Sequence, residues 1–257
     1  MQSPFRLEGK VAIVTGGNGG IGKGMAMGLA EAGCKIVIAA RNPDKTETTL
    51  RELEQKFGAI ATGIQVDLRK EKEIPAMVQK AKEAFGRIDI LINNAGTGIR
   101  KMPQDYTLED WDEIMNTNLR SAFLCSQAVY PHMKAAGGGK IINIGSMTSI
   151  FGGAKYAIYG ASKGGIVQLT RALAVAWAPD HIQVNAILPG WIETDLTVLS
   201  RKAVPTLDQN VKERTPMGRW GRPSDLAGAA VFLSSPASDF ITGVALPVDG
   251  GYSVFLC

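Results

Sequence analysis

Tyr159-Gly160-Ala161-Ser162-Lys163 sets a phenol and an ammonium four residues apart. In a helix that spacing places both side chains on one face, about one turn apart. A free tyrosine ionises near pH ~10, too high for an efficient base at neutrality, and a neighbouring ammonium favours the phenolate. The pair is therefore suited to giving or taking a proton. Taken alone it is also a common arrangement on ordinary helix surfaces. Its context adds to it: Ser146, behind Gly145, closes the apolar run 140–144. In open α/β sheets the carboxyl ends of the strands are where ligands bind.

A second group of residues suits a phosphate. The stretch TGGNGGIG, residues 15–22, carries five glycines in eight positions directly after Val11-Ala12-Ile13-Val14. It reads as G-x-G-x-x-G over 17–22, or as Gly16, Gly20 and Gly22 around Asn18 and Ile21. Both spacings allow a tight turn with positive φ, close approach of backbone to a pyrophosphate, and free N–H groups at a helix start. A merely structural turn is the alternative, and the position between a first strand and a first helix weighs against it. About twenty residues further on, an acidic residue would hold the ribose 2′-OH of NAD. The sequence there is Ala39-Ala40-Arg41-Asn42, with no carboxylate and with a guanidinium fork suited to a 2′-phosphate. NADP(H) is the expected cofactor; NAD(H) remains open if Arg41 is only a solvated loop residue.

These residues need a scaffold, and the chain alternates two patterns. Short β-branched runs at 11–15, 35–39, 60–66, 88–93, 140–144, 182–187 and 244–248 read as strands. Stretches with helical periodicity lie between them at 20–32, 44–57, 71–85, 108–134, 157–178 and 223–233. Strands that are apolar on both faces belong to a covered parallel sheet, and right-handed crossovers make it doubly wound. The expectation is one α/β domain over 1–257, a Rossmann-type fold with a seven-stranded parallel sheet and helices on both faces.

Composition excludes more than it assigns. The 257 residues carry a net charge of +4 with scattered basic residues, giving little support for a nucleic-acid partner. No run of 18 apolar residues occurs, and 1–10 lacks the apolar core and cleavage site of a leader. A cytoplasmic protein with no membrane partner is expected. Cys34, Cys125 and Cys257 are widely spaced and read as free thiols. His132 and His181 do not suggest a metal site, and each is expected at a helix end or in a loop.

The ordered set of motifs resembles the short-chain dehydrogenase/reductases over nearly the whole chain. It comprises Thr15-Gly16-x-x-x-Gly20-x-Gly22, Asp67, Asn93-Asn94-Ala95-Gly96, Asn118, Ser146, Tyr159, Lys163, Pro189-Gly190 with Thr194, and Thr242-Gly243 with Val248-Asp249-Gly250-Gly251. The resemblance implies that Tyr159 is the general acid in reduction and the base in oxidation, and that Ser146 hydrogen-bonds the reacting oxygen. It implies that Lys163 binds the nicotinamide ribose and depresses the tyrosine pKa, and that Asn118 holds a water linking Lys163 to solvent. Asp67 would accept from the adenine amine, with Leu68 beside it. Asn94, Ala95 and Gly96 would lie along the cofactor, and Ile192 and Thr194 would flank the nicotinamide amide after Pro189-Gly190.

Substrate choice falls to loops: 96–107, 148–158 and 191–220, the last read as a lid in which Trp191, Val198 and Leu199 either cover a substrate or pack internally. Acyl-carrier-protein reductases within the resemblance have arginines shortly before the fifth and sixth strands, where this chain has Gly137-Gly138-Gly139 and Asp180. A sugar acid, polyol or similar small hydroxy or keto compound is the preferred substrate. Arg100 and Lys101 are candidates for a substrate carboxylate, with a solvated loop as the alternative. A 3-oxoacyl-carrier-protein reductase, and more remotely a non-catalytic dinucleotide sensor, are the competing readings. The resemblance also implies a homotetramer or homodimer through the helices 108–134 and 157–178. Within these, Phe123, Val129 and Leu169 face either a partner or the chain's own sheet.

Overall fold

The computed structural model describes residues 3–195, 197–198, 201 and 204–256. Leu199 and Cys257 lie outside the described residues.

Seven strands form one parallel sheet: β1 (Val11–Thr15), β2 (Lys35–Ala40), β3 (Ala61–Gln65), β4 (Ile90–Asn93), β5 (Gly139–Ile144), β6 (Ile182–Pro189) and β7 (Ala245–Val248). Their spatial order is β3-β2-β1-β4-β5-β6-β7, and every neighbouring pair is parallel. The order reverses between β1 and β4, where Ala12 pairs with Ile90 and Val14 with Ile92. Crossovers leave this point in opposite directions, so a crevice opens at the carboxyl ends of β1 and β4. The central strands β1 and β4 are buried at every residue because helices cover both faces. Only Ile64 of the edge strand β3 is buried.

Eight helices occur among the described residues: α1 (Gly20–Glu31), α2 (Pro43–Phe57), α3 (Glu73–Phe85), α4 (Leu108–Met115), α5 (Ser121–Ala135), α6 (Ala157–Trp177), α7 (Leu207–Arg214) and α8 (Ala227–Ser234). One apolar cluster joins α1 and α8 to one face of the sheet through Met25, Leu29, Ala230 and Leu233. A second joins α3, α5 and α6 to the other through Met77, Val129 and Leu173. Val129 thus belongs to the chain's own core and Leu169 packs against it, whereas Phe123 points outward. Cys34 and Cys125 are free and buried, and burial pushes the Cys125 thiol up to about 12. His132 lies in the last turn of α5, and His181 ends a short 3₁₀ turn in a left-handed conformation.

Two expectations need correction. The single helix expected over 108–134 is interrupted by a π turn at Asn116–Arg120 that joins α4 to α5. The segment 191–220, read as a long loop, contains α7 and is clasped at its base by a parallel bridge between Ile192 and Gly221. Helix α7 has the sequence LDQNVKER with only Val211 buried, too little apolar periodicity to show against a polar background.

Candidate active site

The glycine loop leaves β1 at the switch point. Gly16 and Gly20 take φ of 62° and 48°, a region that side chains rarely enter. The loop is cross-braced from β4. The Thr15 hydroxyl donates to Ile92 O and accepts from the N–H groups of Asn94 (2.9 Å) and Ala95 (3.0 Å). The Asn94 amide donates back to Thr15 O and Gly16 O. A Cβ on Gly22 would lie 2.4 Å from that amide nitrogen and 2.5 Å from Gly16 O, so only glycine permits the brace. The N-cap of α1 is Gly19, which has no side-chain cap and nothing within 4 Å of a would-be Cβ. The helix therefore presents uncapped N–H groups to open space beside a backbone cradle. This fits a dinucleotide pyrophosphate, whose charge the helix start would stabilise. Thr194 closes the other side, its Cγ2 3.2 Å from where a Gly20 Cβ would be.

Arg41 follows β2 on the surface, and its guanidinium has no ion pair among the described residues. It lines a cavity of about 520 Å³ with Gln65, Val66, Asp67 and Lys70. Asp67 is gripped by Arg69, whose Nε donates at 2.9 Å and whose Nη2 donates at 2.6 Å, while Nη1 reaches Glu113 of α4. This clamp, together with the more distant Arg41, holds the Asp67 carboxyl down at about 2. Leu68 buries its side chain in the core and does not line this cavity. The Asn18 amide spans from the glycine loop to Asn42 O and the Thr46 hydroxyl, so its side chain ties the loop to α2.

The reactive residues meet at the carboxyl ends of β4, β5 and β6. A cavity of about 440 Å³ is lined by Ser146, Tyr159 and Lys163, together with Asn94, Gly96, Pro189, Gly190, Ile192 and Thr194. Lys163 is 4% exposed, donates from Nζ to Ile144 O at 2.8 Å, and is pushed by burial down to about 8. The Tyr159 phenol is raised above its ordinary value by burial, and the Ser146 hydroxyl facing it only partly offsets this. Here the expectation of a depressed tyrosine is corrected. The Lys163 ammonium sits 5.8 Å from the ring centroid, and desolvation outweighs any charge effect. Ser146 caps a 3₁₀ turn, accepting from Thr148 N, and Ser149 fixes that turn to α6 by donating to Lys163 O at 2.7 Å.

Asn118 occupies the π turn, a distortion that recurs at functional sites. Its side chain makes three hydrogen bonds, leaving one acceptor position on Oδ1. Oδ1 accepts from Thr97 N, and Nδ2 donates to Thr97 O and to Ser162 Oγ. It thereby anchors the 96–107 loop to α6, and a Cβ on Gly96 would lie 3.3 Å from Oδ1 and 3.5 Å from Lys163 Nζ. Within that loop the two basic candidates separate. Lys101 is paired with Asp110, while Arg100 lines the cavity with its guanidinium 5.2 Å from the Tyr156 ring centroid. Trp191 also lines the cavity; Val198 is on the surface.

The family model described as "Enoyl-(Acyl carrier protein) reductase" matches residues 16–253, from the glycine loop to beyond β7. The chain is a short-chain dehydrogenase/reductase. It is accordingly an oxidoreductase of the class that acts on CH–OH groups with a nicotinamide cofactor. It is 47% identical to the 2-dehydro-3-deoxy-D-gluconate 5-dehydrogenase of Escherichia coli over 97% of this chain and 98% of that one. A solved gluconate 5-dehydrogenase from Burkholderia cenocepacia, in complex with NADP and tartrate, superposes with a TM-score of 0.92 at 40% identity, covering 98% of both chains. L-sorbose reductase from Gluconobacter frateurii, complexed with NADPH and L-sorbose, superposes with a TM-score of 0.94 at 32% identity, covering 99% of this chain and all of that one. Among the described residues of this dehydrogenase/reductase no cluster could hold a metal ion, and no helix is long and apolar enough to cross a membrane.

Proposed function

We propose that the protein uses NADP(H) to interconvert a secondary alcohol and a ketone on a sugar acid. The observation that carries this reading is Arg100, a cation lining the same cavity as Ser146, Tyr159 and Lys163. A guanidinium there matches a substrate carboxylate and orients the chain of hydroxyls so that one carbon faces the phenol. The printed names of the relatives point the same way, toward dehydrogenases of gluconate and of its 2-dehydro-3-deoxy form. The acyl-carrier name attaches to a model of the broad family, whereas these relatives match the chain end to end. Ser146, Tyr159 and Lys163 line one cavity and Asn118 lies beside Lys163 across Gly96, which favours an enzyme over a sensor.

In this reading the cofactor supplies or accepts the hydride, and the residues named here bind, orient and move protons. Ser146 donates a hydrogen bond to the substrate oxygen. Tyr159 gives that oxygen its proton in reduction and removes it in oxidation. Lys163 anchors the nicotinamide ribose hydroxyls, and Asn118 holds the loop and helix that frame the lysine. Gly16, Gly20, Ile21 and Gly22 receive the pyrophosphate, with Asn94, Ala95 and Gly96 along the cofactor. Pro189, Gly190, Ile192 and Thr194 sit on its nicotinamide side. The protein acts in the cytoplasm, and it assembles as a homotetramer or homodimer, the assembly being supported by the outward-facing Phe123 of α5 and Val175 of α6.

The test is turnover of D-gluconate and 2-dehydro-3-deoxy-D-gluconate with NADP, followed by nicotinamide absorbance, in wild type and Arg100→Gln. The variant is expected to raise KM for the acids roughly thirty-fold, the worth of a charge-assisted pair, with NADP binding unchanged. An equal KM in both proteins would remove Arg100 from the site. Arg41 supplies the cofactor preference, and NADP or NADPH is bound in the two solved relatives named above. Arg41→Asp is expected to lower kcat/KM with NADP about a hundred-fold relative to NAD, because it exchanges a phosphate-binding cation for a repelling carboxylate. An unmoved NADP/NAD ratio in the same assay would reject that role.

A further inference from the structure

The substrate cavity has one wall that the motifs leave unexplained, and it comes from the C-terminal end of the chain. After β7, Gly250 and Gly251 take φ of 66° and 89°. A Cβ on Gly250 would lie 2.8 Å from Thr215 Cγ2, and one on Gly251 would lie 3.0 Å from Pro216 Cγ. The Asp249 carboxylate ties the turn by accepting from Gly251 N (3.0 Å) and Ser253 N (2.7 Å). This tightly built turn brings Tyr252 to the cavity that holds Ser146 and Tyr159. The Tyr252 ring is held edge-on to Phe151, with centroids 6.2 Å apart at 71°. The guanidinium of Arg214, at the end of α7, lies 5.0 Å from its centroid and also donates to Phe255 O at 2.6 Å. Three separate segments thus fix one aromatic side chain beside the reacting centre. Its hydroxyl has no hydrogen-bond partner among the described residues.

A ring with an apolar body and a polar tip suits a polyhydroxylated chain, which offers C–H faces and hydroxyls in alternation. We propose that Tyr252 is a specificity-determining residue: its ring packs on the substrate's carbon chain, its hydroxyl bonds a substrate hydroxyl remote from the reacting carbon, and Arg214 positions it. This rests on the sugar-acid reading and names a contact within it. It also gives the 191–220 segment a route to the substrate, since Arg214 leaves α7 to brace Tyr252.

The experiment measures KM and kcat for D-gluconate with NADP in wild type, Tyr252→Phe, Tyr252→Ala and Arg214→Met, with NADP affinity from tryptophan fluorescence as the check on folding. Tyr252→Ala is expected to raise KM roughly thirty-fold by losing the ring's buried area. Tyr252→Phe is expected to raise it about five-fold by losing one hydrogen bond. Arg214→Met is expected to raise it about five-fold, with kcat and NADP affinity within about two-fold of wild type. A KM for Tyr252→Ala within two-fold of wild type overturns the proposal. A Tyr252→Phe KM equal to wild type overturns the hydrogen bond, and NADP affinity falling in step with KM in Arg214→Met overturns the positioning role. If wild type turns over no sugar acid, the functional reading fails by itself. The same comparison is then made on the best alcohol from a panel of polyols and ketoses, and an unchanged KM there overturns Tyr252 separately.

Discussion

Tyr159→Phe is expected to bind NADP(H) like wild type and to lower kcat about a thousand-fold, the scale of a lost general acid–base group. The substitution removes one oxygen from a ring whose surroundings stay filled: Gly98 lies against one edge, and Tyr156 stands 6.2 Å away, centroid to centroid. Folding should therefore be insensitive to it. Because burial raises the phenol above its ordinary value, the protonated form dominates at neutral pH and the residue is ready as an acid for ketone reduction. Alcohol oxidation needs the phenolate, so its kcat in wild type should climb with pH through the alkaline range while reduction does not. The check is kcat in both directions across pH for wild type and Tyr159→Phe. A variant that retained wild-type turnover, or an oxidation rate flat with pH, would require a different proton carrier.

The same chemistry explains how far the sequence could be read. The strand–helix alternation was legible because a parallel sheet covered on both faces demands continuous apolar runs, and Val11–Thr15 and Ile90–Asn93 are buried at every residue. The glycine loop was legible because Gly22 admits no side chain against Asn94. What escaped is what depends on competition between partners. The motifs place Asn18 and Asn94 beside the cofactor but do not reveal that their Nδ2 groups also brace the loop, donating to backbone carbonyls and, for Asn18, to Thr46. Arg100 and Lys101 were equivalent until Asp110, needed at the Thr107 cap of α4, also took the lysine. The π turn around Asn118 left no trace, since one extra residue in a helical turn barely alters apolar periodicity over 108–134. Ion-pair choice and backbone distortion are settled in three dimensions.

Lys163→Met makes the opposing demands of stability and function measurable. The ammonium is buried with one carbonyl acceptor, Ile144 O, and its pKa falls from 10.5 to about 8 through desolvation. A shift of that size corresponds to about 3 kcal/mol against the charged native state. The sign follows from proton counts. Below about pH 8 the native state carries the penalty in full. Between about 8 and 10.5 the unfolded chain binds more protons than the native one, so stability climbs with pH; above 10.5 both states are neutral and the penalty is gone. Methionine fills similar space without charge and leaves the Ile144 carbonyl short of a donor, at a cost of about 1 kcal/mol. At pH 7 the variant is therefore expected to melt no lower than wild type, with its advantage shrinking as pH approaches 10. Its kcat/KM should nonetheless drop about a thousand-fold, since the ribose anchor beside Tyr159 is lost. Thermal melts of both proteins from pH 7 to 10, beside turnover at pH 7, decide the matter. A variant that melts well below wild type at pH 7 would mean that the buried ammonium stabilises the fold and that the fold does not hold it at a cost for catalysis.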